Sequence, residues 1–457
     1  MTDLSLTTDT LAPIVARLHP VNADLARRYP GESGARQPVH TVYGGAQLFA
    51  ADTVPKLGQI ARRALDEYAP DAEALAEVIG LSRSDERETQ LARSVHARVR
   101  DKLQREAIED FRIDYEDGYG VRPDAEEDGH AAAGAREMAR GMKHGTLSPF
   151  IGIRIKPLTA ELHARSLRTL DIFLTTLVRE AGSLPERFFI TLPKISAVDQ
   201  VAVFVDALAL LERRLGLKEG SLQFEAMVET PQLIIDASGR SLLPSLIDAG
   251  AGRLTAAHFG TYDYTASLNI TAAYQRMRHV ACDFARSVMQ VALAGTGVWL
   301  SDGSTTVMPV AIHRRPADGA ALTPEQVAEN RASVHNAWRM HYDDVRHSLE
   351  SGFYQGWDLH PAQLVTRYAA VYAFFLTGLE QQGARLRNFV ERAAQATLVG
   401  DVFDDAATGQ GLLNFFFRAI NCGALTEEEA VQMTGVTLDE LRGRSFVRIL
   451  KNRRGGA

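Results

Sequence analysis

Cysteine is nearly missing from this sequence of 457 residues: there are two, Cys282 and Cys422, neither with a Cys or His companion at metal spacing. That excludes a disulfide framework and argues against zinc, and it fits a reducing compartment. Long apolar runs are missing as well. No stretch of about 18 apolar residues occurs, and the start, Met1-Thr2-Asp3-Leu4-Ser5-Leu6, has neither a basic n-region nor an apolar h-region. No membrane partner is expected, and a cytoplasmic location is. The third absence is an excess of positive charge. Lys and Arg number 50 against 57 Asp and Glu, a formal net charge of −7, so no basic field argues for nucleic acid or an acidic membrane surface. Small anionic ligands must therefore be held by local groups.

What is present is a repeated alternation of apolar strand and amphipathic helix. The segment Leu222 to Val228 reads as a buried strand that ends on Glu229-Thr230-Pro231, and Arg253 to Phe259 reads as the next, ending on Gly260-Thr261-Tyr262-Asp263-Tyr264. Parallel strands separated by one helix lie side by side, so Glu229 and Asp263 are expected at one mouth. Two carboxylates with room left for water and substrate suit a hard divalent cation. The plainer alternative is that Glu229 caps the following helix and Asp263 is a turn residue.

Taken in order, residues 1–37 read as an N-terminal extension with a short helical stretch. Val39 to Tyr43 is a first strand, broken by Gly44-Gly45, with a helix from about Thr53 to Tyr68. A long polar helical insert from about Asp71 to Glu106 leads to a second strand, Asp110 to Tyr119, carrying Asp114, Glu116 and Asp117. Acids on a short apolar strand are costly to bury without a cation or hydrogen bonds. Phe150 to Lys156 is a third strand, with Arg154 inside it in need of an anionic partner, structural or substrate. Phe188 to Lys194 is a fourth, and Lys194 either binds an anion or pairs with an acid at the rim. A helix from about Thr271 to Ala294, a seventh strand at Thr306 to Ile312 and an eighth at Gly356 to Pro361 complete the set.

Eight strand-then-helix units predict an α/β fold, a (β/α)8 TIM barrel over residues 38–380. In such barrels reactive groups lie at the C-terminal strand ends, where Glu116, Asp117, Arg154, Lys194, Glu229, Asp263 and His360 all fall. Residues 381–457 read as a C-terminal α-helical extension that closes over the barrel mouth. Its loop Val402-Phe403-Asp404-Asp405-Ala406 could place a carboxylate there; on spacing alone these acids are N-caps.

Several stretches carry a resemblance: Asp114-Tyr115-Glu116-Asp117, Ile153-Arg154-Ile155, Leu192-Pro193-Lys194-Ile195, Met227-Val228-Glu229-Thr230, and Gly352-Phe353 through Trp357 to His360-Pro361. Together, from about residue 38 to 435, they resemble the malate synthase and citrate lyase β-subunit (CitE-like) superfamily. The run Gly260 to Leu268 is similar both to malate synthases and to the HpcH/HpaI aldolases of that superfamily. Phe403-Asp404-Asp405-Ala406-Ala407-Thr408 resembles the malate synthase C-terminal segment, whose second acid removes a proton from the acetyl-CoA methyl group.

The resemblance implies that Glu229 and Asp263 hold Mg2+, with Mn2+ as the alternative, while Glu116 and Asp117 hydrogen-bond its waters. Arg154 would stabilise an enolate or carbonyl oxygen, and Asp405 would be the base. Backbone N–H groups at Gly260, Thr261 and Tyr262 would bind the substrate carboxylate. The implied activity is metal-dependent C–C bond formation or cleavage between a 2-oxo acid and an acyl-CoA enolate, in a homo-oligomer. The alternative is a CoA-independent aldolase acting on hydroxy-oxo acids through a pyruvate enolate, and a third reading is a non-catalytic barrel. Two departures bear on these. The aldolases carry a His in the second-strand segment where this chain has Gly118-Tyr119, leaving His40 or His360 to substitute. Malate synthases have Arg-Pro-Arg-Gly where this chain has Ile153-Arg154-Ile155-Lys156, which leaves the oxo acid open.

Overall fold

The computed structural model describes residues 5–32, 34–314, 321–391, 397–399, 402–404, 406–443 and 449. Helices α1 (Thr8–Ala16) and α2 (Leu18–Arg28) precede strand β1 (His40–Gly45). Helices α3 (Thr53–Tyr68), α4 (Ala72–Ile79) and α5 (Glu86–Arg105) lead to β2 (Asp110–Asp114). Then come α6 (Asp124–His144), β3 (Phe150–Arg154), α7 (His163–Ala181), β4 (Phe188–Leu192), α8 (Val198–Leu215) and β5 (Gln223–Val228). Short helices α9 (Pro231–Ile234) and α10 (Leu243–Gly250) connect to β6 (Leu254–Phe259), which runs into α11 (Thr261–Ser267) and α12 (Val280–Leu293). The barrel ends with β7 (Trp299–Ser304), α13 (Pro324–Glu350), β8 (Gln355–Asp358) and α14 (Gln363–Leu376).

The eight strands pair in parallel in chain order and close, β8 hydrogen-bonding β1 through His40 opposite Gly356 and Val42 opposite Asp358. This is the (β/α)8 barrel expected. Local chemistry sets the helix starts: the Asp85 side chain accepts from the N–H groups of Arg87 and Glu88 to begin α5. Thr323 and Gln326 form a capping box around Pro324 to begin α13. Strands β2, β3 and β4 are buried at every residue, as parallel strands covered by helices on one face and filling a barrel on the other must be. The filling is partly ionic: the Arg112 guanidinium, fully buried, pairs with Asp110 and, at 2.7 Å, with Glu225.

Four expectations are corrected. The seventh strand is Trp299–Ser304, not Thr306 to Ile312. Its polar middle misled the reading: Asp302 is buried because Arg286, at 3.1 Å, and the Ser348 hydroxyl, at 2.6 Å, satisfy it. Val307, Val310 and Ile312 are instead exposed. The second strand stops at Asp114, so Glu116 and Asp117 stand in the loop beyond it. The insert is two helices, because Gly80 adopts φ +76° and ends α4. The helix before β7 begins at Val280, nine residues later than expected.

Beyond the barrel lie α15 (Leu379–Glu391), the antiparallel pair β9 (Thr397–Val399) and β10 (Val402–Asp404), and helices α16 (Ala406–Asn421), α17 (Glu427–Thr434) and α18 (Leu438–Gly443). The closing of the mouth by this unit is not met by its described helices. Arg418 donates to the Gln37 side chain at 3.0 Å, Asn421 accepts from the Gln37 N–H at 2.9 Å, and Gln37 in turn donates to the Leu300 carbonyl and the Gln355 side chain. Leu300 and Gln355 begin β7 and β8, so α16 docks on the barrel end opposite the mouth. Apolar packing holds it there, with the Phe415 ring 5.4 Å from that of Phe375 at the foot of α14. Asp405 lies outside the described residues. Among those residues, no helix is long and apolar enough to cross a membrane.

Candidate functional site

The C-terminal strand ends gather five acids and two bases. Asp114 ends β2, and its carboxylate accepts from the N–H groups of Glu116 (3.0 Å) and Gly118 (2.7 Å), folding the next four residues into a turn over the strand. Gly118 is required there, since a Cβ would come within 2.6 Å of the Asp114 Oδ2. The turn points Glu116 and Asp117 at the end of β3. There the Arg154 guanidinium grips Asp114 bidentately, Nε at 2.7 Å and Nη2 at 2.6 Å, while its Nη1 meets Glu116 at 3.0 Å and Asp117 at 3.2 Å. Charge-assisted, forked contacts of this kind orient a guanidinium firmly. The floor beneath it is aromatic: Arg154 lies 4.9 Å above the Tyr43 ring and 5.7 Å from the Trp357 ring, and the two rings lie 4.4 Å apart, tilted by 37°.

Lys194 follows β4 at φ +50°, a left-handed conformation uncommon for a residue with a side chain. Its backbone N–H donates to the Glu229 Oε1 at 2.6 Å, and its ammonium reaches Glu116, Asp117 at 3.4 Å and Asp263 at 3.4 Å. Glu229, directly after β5, is buried; Asp263, in the first turn of α11, is half-exposed. Gly260 lets them share the space, because a Cβ there would lie 2.5 Å from both the Cβ and the Oε2 of Glu229. Lys194 joins the two, its backbone N–H on Glu229 and its ammonium 3.4 Å from Asp263.

Five carboxyls against two cations leave the cluster short of positive charge, and the proton affinities register it. Burial, reinforced by Asp263 and Glu116 and opposed by Lys194 and Arg154, pushes the Glu229 carboxyl up to about 8. Burial likewise raises Glu116 to about 7, with Arg154 and Lys194 pulling against it and Asp117 adding to it. Asp117 goes the other way, because Arg154 and Lys194 outweigh its partial burial. The donors are all carboxylate oxygens, the kind a hard cation takes, so the residues fit Mg2+ or Mn2+. Among the described residues no three acidic, His or Cys side chains stand close enough to form a ready-made metal cage.

The remaining expected residues are placed as follows. The Thr261 hydroxyl donates to the Met277 sulfur at 3.1 Å and Tyr262 donates to the Ser304 carbonyl at 2.9 Å, so both side chains are spent on protein partners. His360 lies at the mouth after β8; its Nδ1 accepts from the Ala362 N–H and burial lowers its pKa, which favours the neutral ring with its proton on Nε2. His40 is at the far end of β1, buried, its Nε2 accepting from the Glu109 N–H, and cannot reach the mouth. Asp114 is the anionic partner that Arg154 was expected to need, whereas Tyr43 and Trp357, the floor, carried no usable sequence signal for their contacts. Only the β1–β8 closure brings the last two together.

Comparison with solved structures gives a citrate lyase from Burkholderia xenovorans LB400, 18% identical, covering 88% of this chain and 99% of that one with a TM-score of 0.53. It also gives Haloferax volcanii malate synthase in its magnesium/glyoxylate complex, 13% identical over 89% and 97% of the two chains, TM-score 0.45. A third is CitE from Mycobacterium tuberculosis in complex with magnesium, acetoacetate and coenzyme A, 15% identical over 86% and 100%, TM-score 0.46. At 18% identity the citrate lyase likeness is one of fold. No curated protein matches the sequence. A family model described as a domain of unknown function, DUF6986, matches residues 18–449, and the chain belongs to that family.

Proposed function

We propose that the protein is a divalent-metal-dependent C–C lyase or synthase that joins or cleaves a 2-oxo acid and an acyl-CoA enolate. The observation that carries this reading is the charge deficit at the mouth: a buried Glu229 is driven to about 8 beside Asp263 and Glu116, and a further cation there would relieve it. Glu229 and Asp263 would hold magnesium, which when bound supplies polarisation of the oxo acid's carbonyl. Arg154, gripped by Asp114 and Glu116, offers a rigid positive charge that costs no reorganisation as an enolate oxygen gains charge. Lys194 holds the Glu229 carboxylate through its backbone N–H and balances Glu116 through its ammonium. Asp405 would abstract the proton of the acyl group.

The test is a screen of glyoxylate, pyruvate and oxaloacetate against short acyl-CoAs with free-thiol detection. Titration calorimetry of Mg2+ and Mn2+ against wild type and Glu229→Gln runs beside it. Turnover with Mg2+ binding that Glu229→Gln removes supports the proposal; no metal binding by wild type sinks it. A second reading, the CoA-independent aldolase, is favoured by one observation: His360 at the mouth is held neutral by burial with its Nε2 unspent among the described contacts. Asp405→Asn separates the two, abolishing acyl-CoA-dependent turnover under the first and barely altering retro-aldol turnover under the second.

A further inference from the structure

Inside the barrel, polar side chains join into one continuous series. The Thr41 hydroxyl donates to Asp110 at 2.8 Å, Asp110 pairs with Arg112, and Arg112 reaches Glu225 at 2.7 Å. Thr191 adds a hydroxyl to the same Glu225 carboxylate at 3.1 Å. Beside that carboxylate stands His258 on β6, fully buried, its Nε2 3.4 Å from the Glu225 Oε1.

The other ring nitrogen sets the tautomer. His258 Nδ1 lies 3.0 Å from the Trp357 Nε1, and an indole nitrogen only donates. Nδ1 is therefore the acceptor, and the ring's proton is on Nε2, facing Glu225. The series thus ends on Trp357, whose ring lies 5.7 Å from the Arg154 guanidinium. Tyr43 meets that ring tilted by 37°, and Trp357 is only half-buried, so the directional contact that fixes its face is the hydrogen bond to His258.

We propose that His258 is a positioning residue for Arg154, acting through Trp357. The inference rests on the enolate-stabilising role given to Arg154 above. Asp114 and Glu116 grip the guanidinium, and the Tyr43 and Trp357 rings set its height beneath them. Without an acceptor at Nδ1 the indole turns toward another partner, because a donor inside the barrel does not stay unpaired, and the floor moves with it. A displacement near 1 Å at a preorganised charge costs up to about a hundredfold in turnover. Glu229 and Asp263 are held from Lys194 instead, so metal affinity is untouched.

The near-isosteric His258→Leu removes the acceptor, and His258→Asn sets a carbonyl oxygen close to the place of Nδ1. Trp357→Phe keeps a ring but removes the donor, and carries the test where His258→Leu does not fold. His258→Leu and Trp357→Phe should each lower kcat about 10- to 100-fold, with KM and calorimetric Mg2+ affinity unchanged. The double variant should be no worse than either, and His258→Asn should recover most of the loss. A wild-type kcat in His258→Leu, or a loss of Mg2+ affinity beside the loss of kcat, overturns the proposal, and so does His258→Asn as slow as His258→Leu. If wild type turns over no pair of oxo acid and acyl-CoA, the reaction assigned above fails and NMR decides the proposal. The Arg154 Nε–H resonance, assigned by its loss in Arg154→Lys, feels the ring currents of Tyr43 and Trp357. It should shift in His258→Leu or Trp357→Phe and return in His258→Asn; an unmoved resonance overturns the proposal.

Discussion

Lys194 presents its backbone N–H to the Glu229 carboxylate at 2.6 Å while its own side chain extends to Asp263 at 3.4 Å. One residue thus tethers both acids that the neighbouring strands deliver. The ammonium stands in the same small volume that a divalent ion would share, so the two cations oppose each other. Lys194→Met is expected to tighten Mg2+ binding about tenfold, the effect of removing one charge about 5 Å from a divalent ion at the dielectric of water, ~80, in a mouth open to solvent. Titration calorimetry reads it directly, and weaker binding would show that the ammonium organises the acids rather than competing for them.

Gly260→Ala examines the space between strand ends. The backbone at Gly260, φ −97°, suits any residue, so the effect is purely the new methyl's approach to Glu229 at 2.5 Å. We expect a stability loss of about 1–3 kcal/mol, typical of forced overpacking, together with loss of metal binding. Urea denaturation and calorimetry on the same preparation measure the two.

Asp114→Asn leaves the buried Arg154 without its bidentate partner. Removing one member of a buried pair costs about 3–5 kcal/mol. Glu116 and Asp117, still at 3.0 and 3.2 Å, hold the loss to the lower part of that range. Denaturant midpoints for Asp114→Asn and Glu116→Gln should therefore differ, with the former lower.

Acid should unfold the barrel from its far end. Burial lowers His40 from 6.5 to about 4. Glu109 falls from 4.5 to about 2, because Lys102 and Arg36 outweigh its burial. Both folded values lie below the unfolded ones, so the unfolded chain takes protons first as pH drops. The stabilisation is whole above about pH 6.5 and is lost first by His40, down to about 4, and then by Glu109, between 4.5 and about 2. Each amounts to about 3 kcal/mol. Urea midpoints at pH 7, 5 and 3.5 should fall progressively in wild type, and Glu109→Gln should flatten the lower part of the curve.

The barrel and the mouth acids were legible because apolar strands that end on charges leave few other arrangements. Glu229 and Asp263 were read as neighbours from the spacing of two strands alone, and the structure sets both beside Lys194. β7 was not legible, because Asp302 looks like a turn until Arg286 and Ser348, from two other helices, are seen to satisfy it. The place of α16 was hidden for the same reason. Its apolar face, Leu412, Leu413 and Phe416, states that the helix packs, and only the long-range partner Gln37 says on which end.

Twelve of the fourteen residues of α14 are buried, and the strand before it is the one that joins β1. During synthesis, then, β1 emerges first yet waits for its last neighbour until some three hundred residues later. An unsealed sheet edge is an invitation to stray pairing, so a nascent chain halted short of Gln363 is a natural client for chaperones, whereas one that has passed Leu376 has everything it needs to shut.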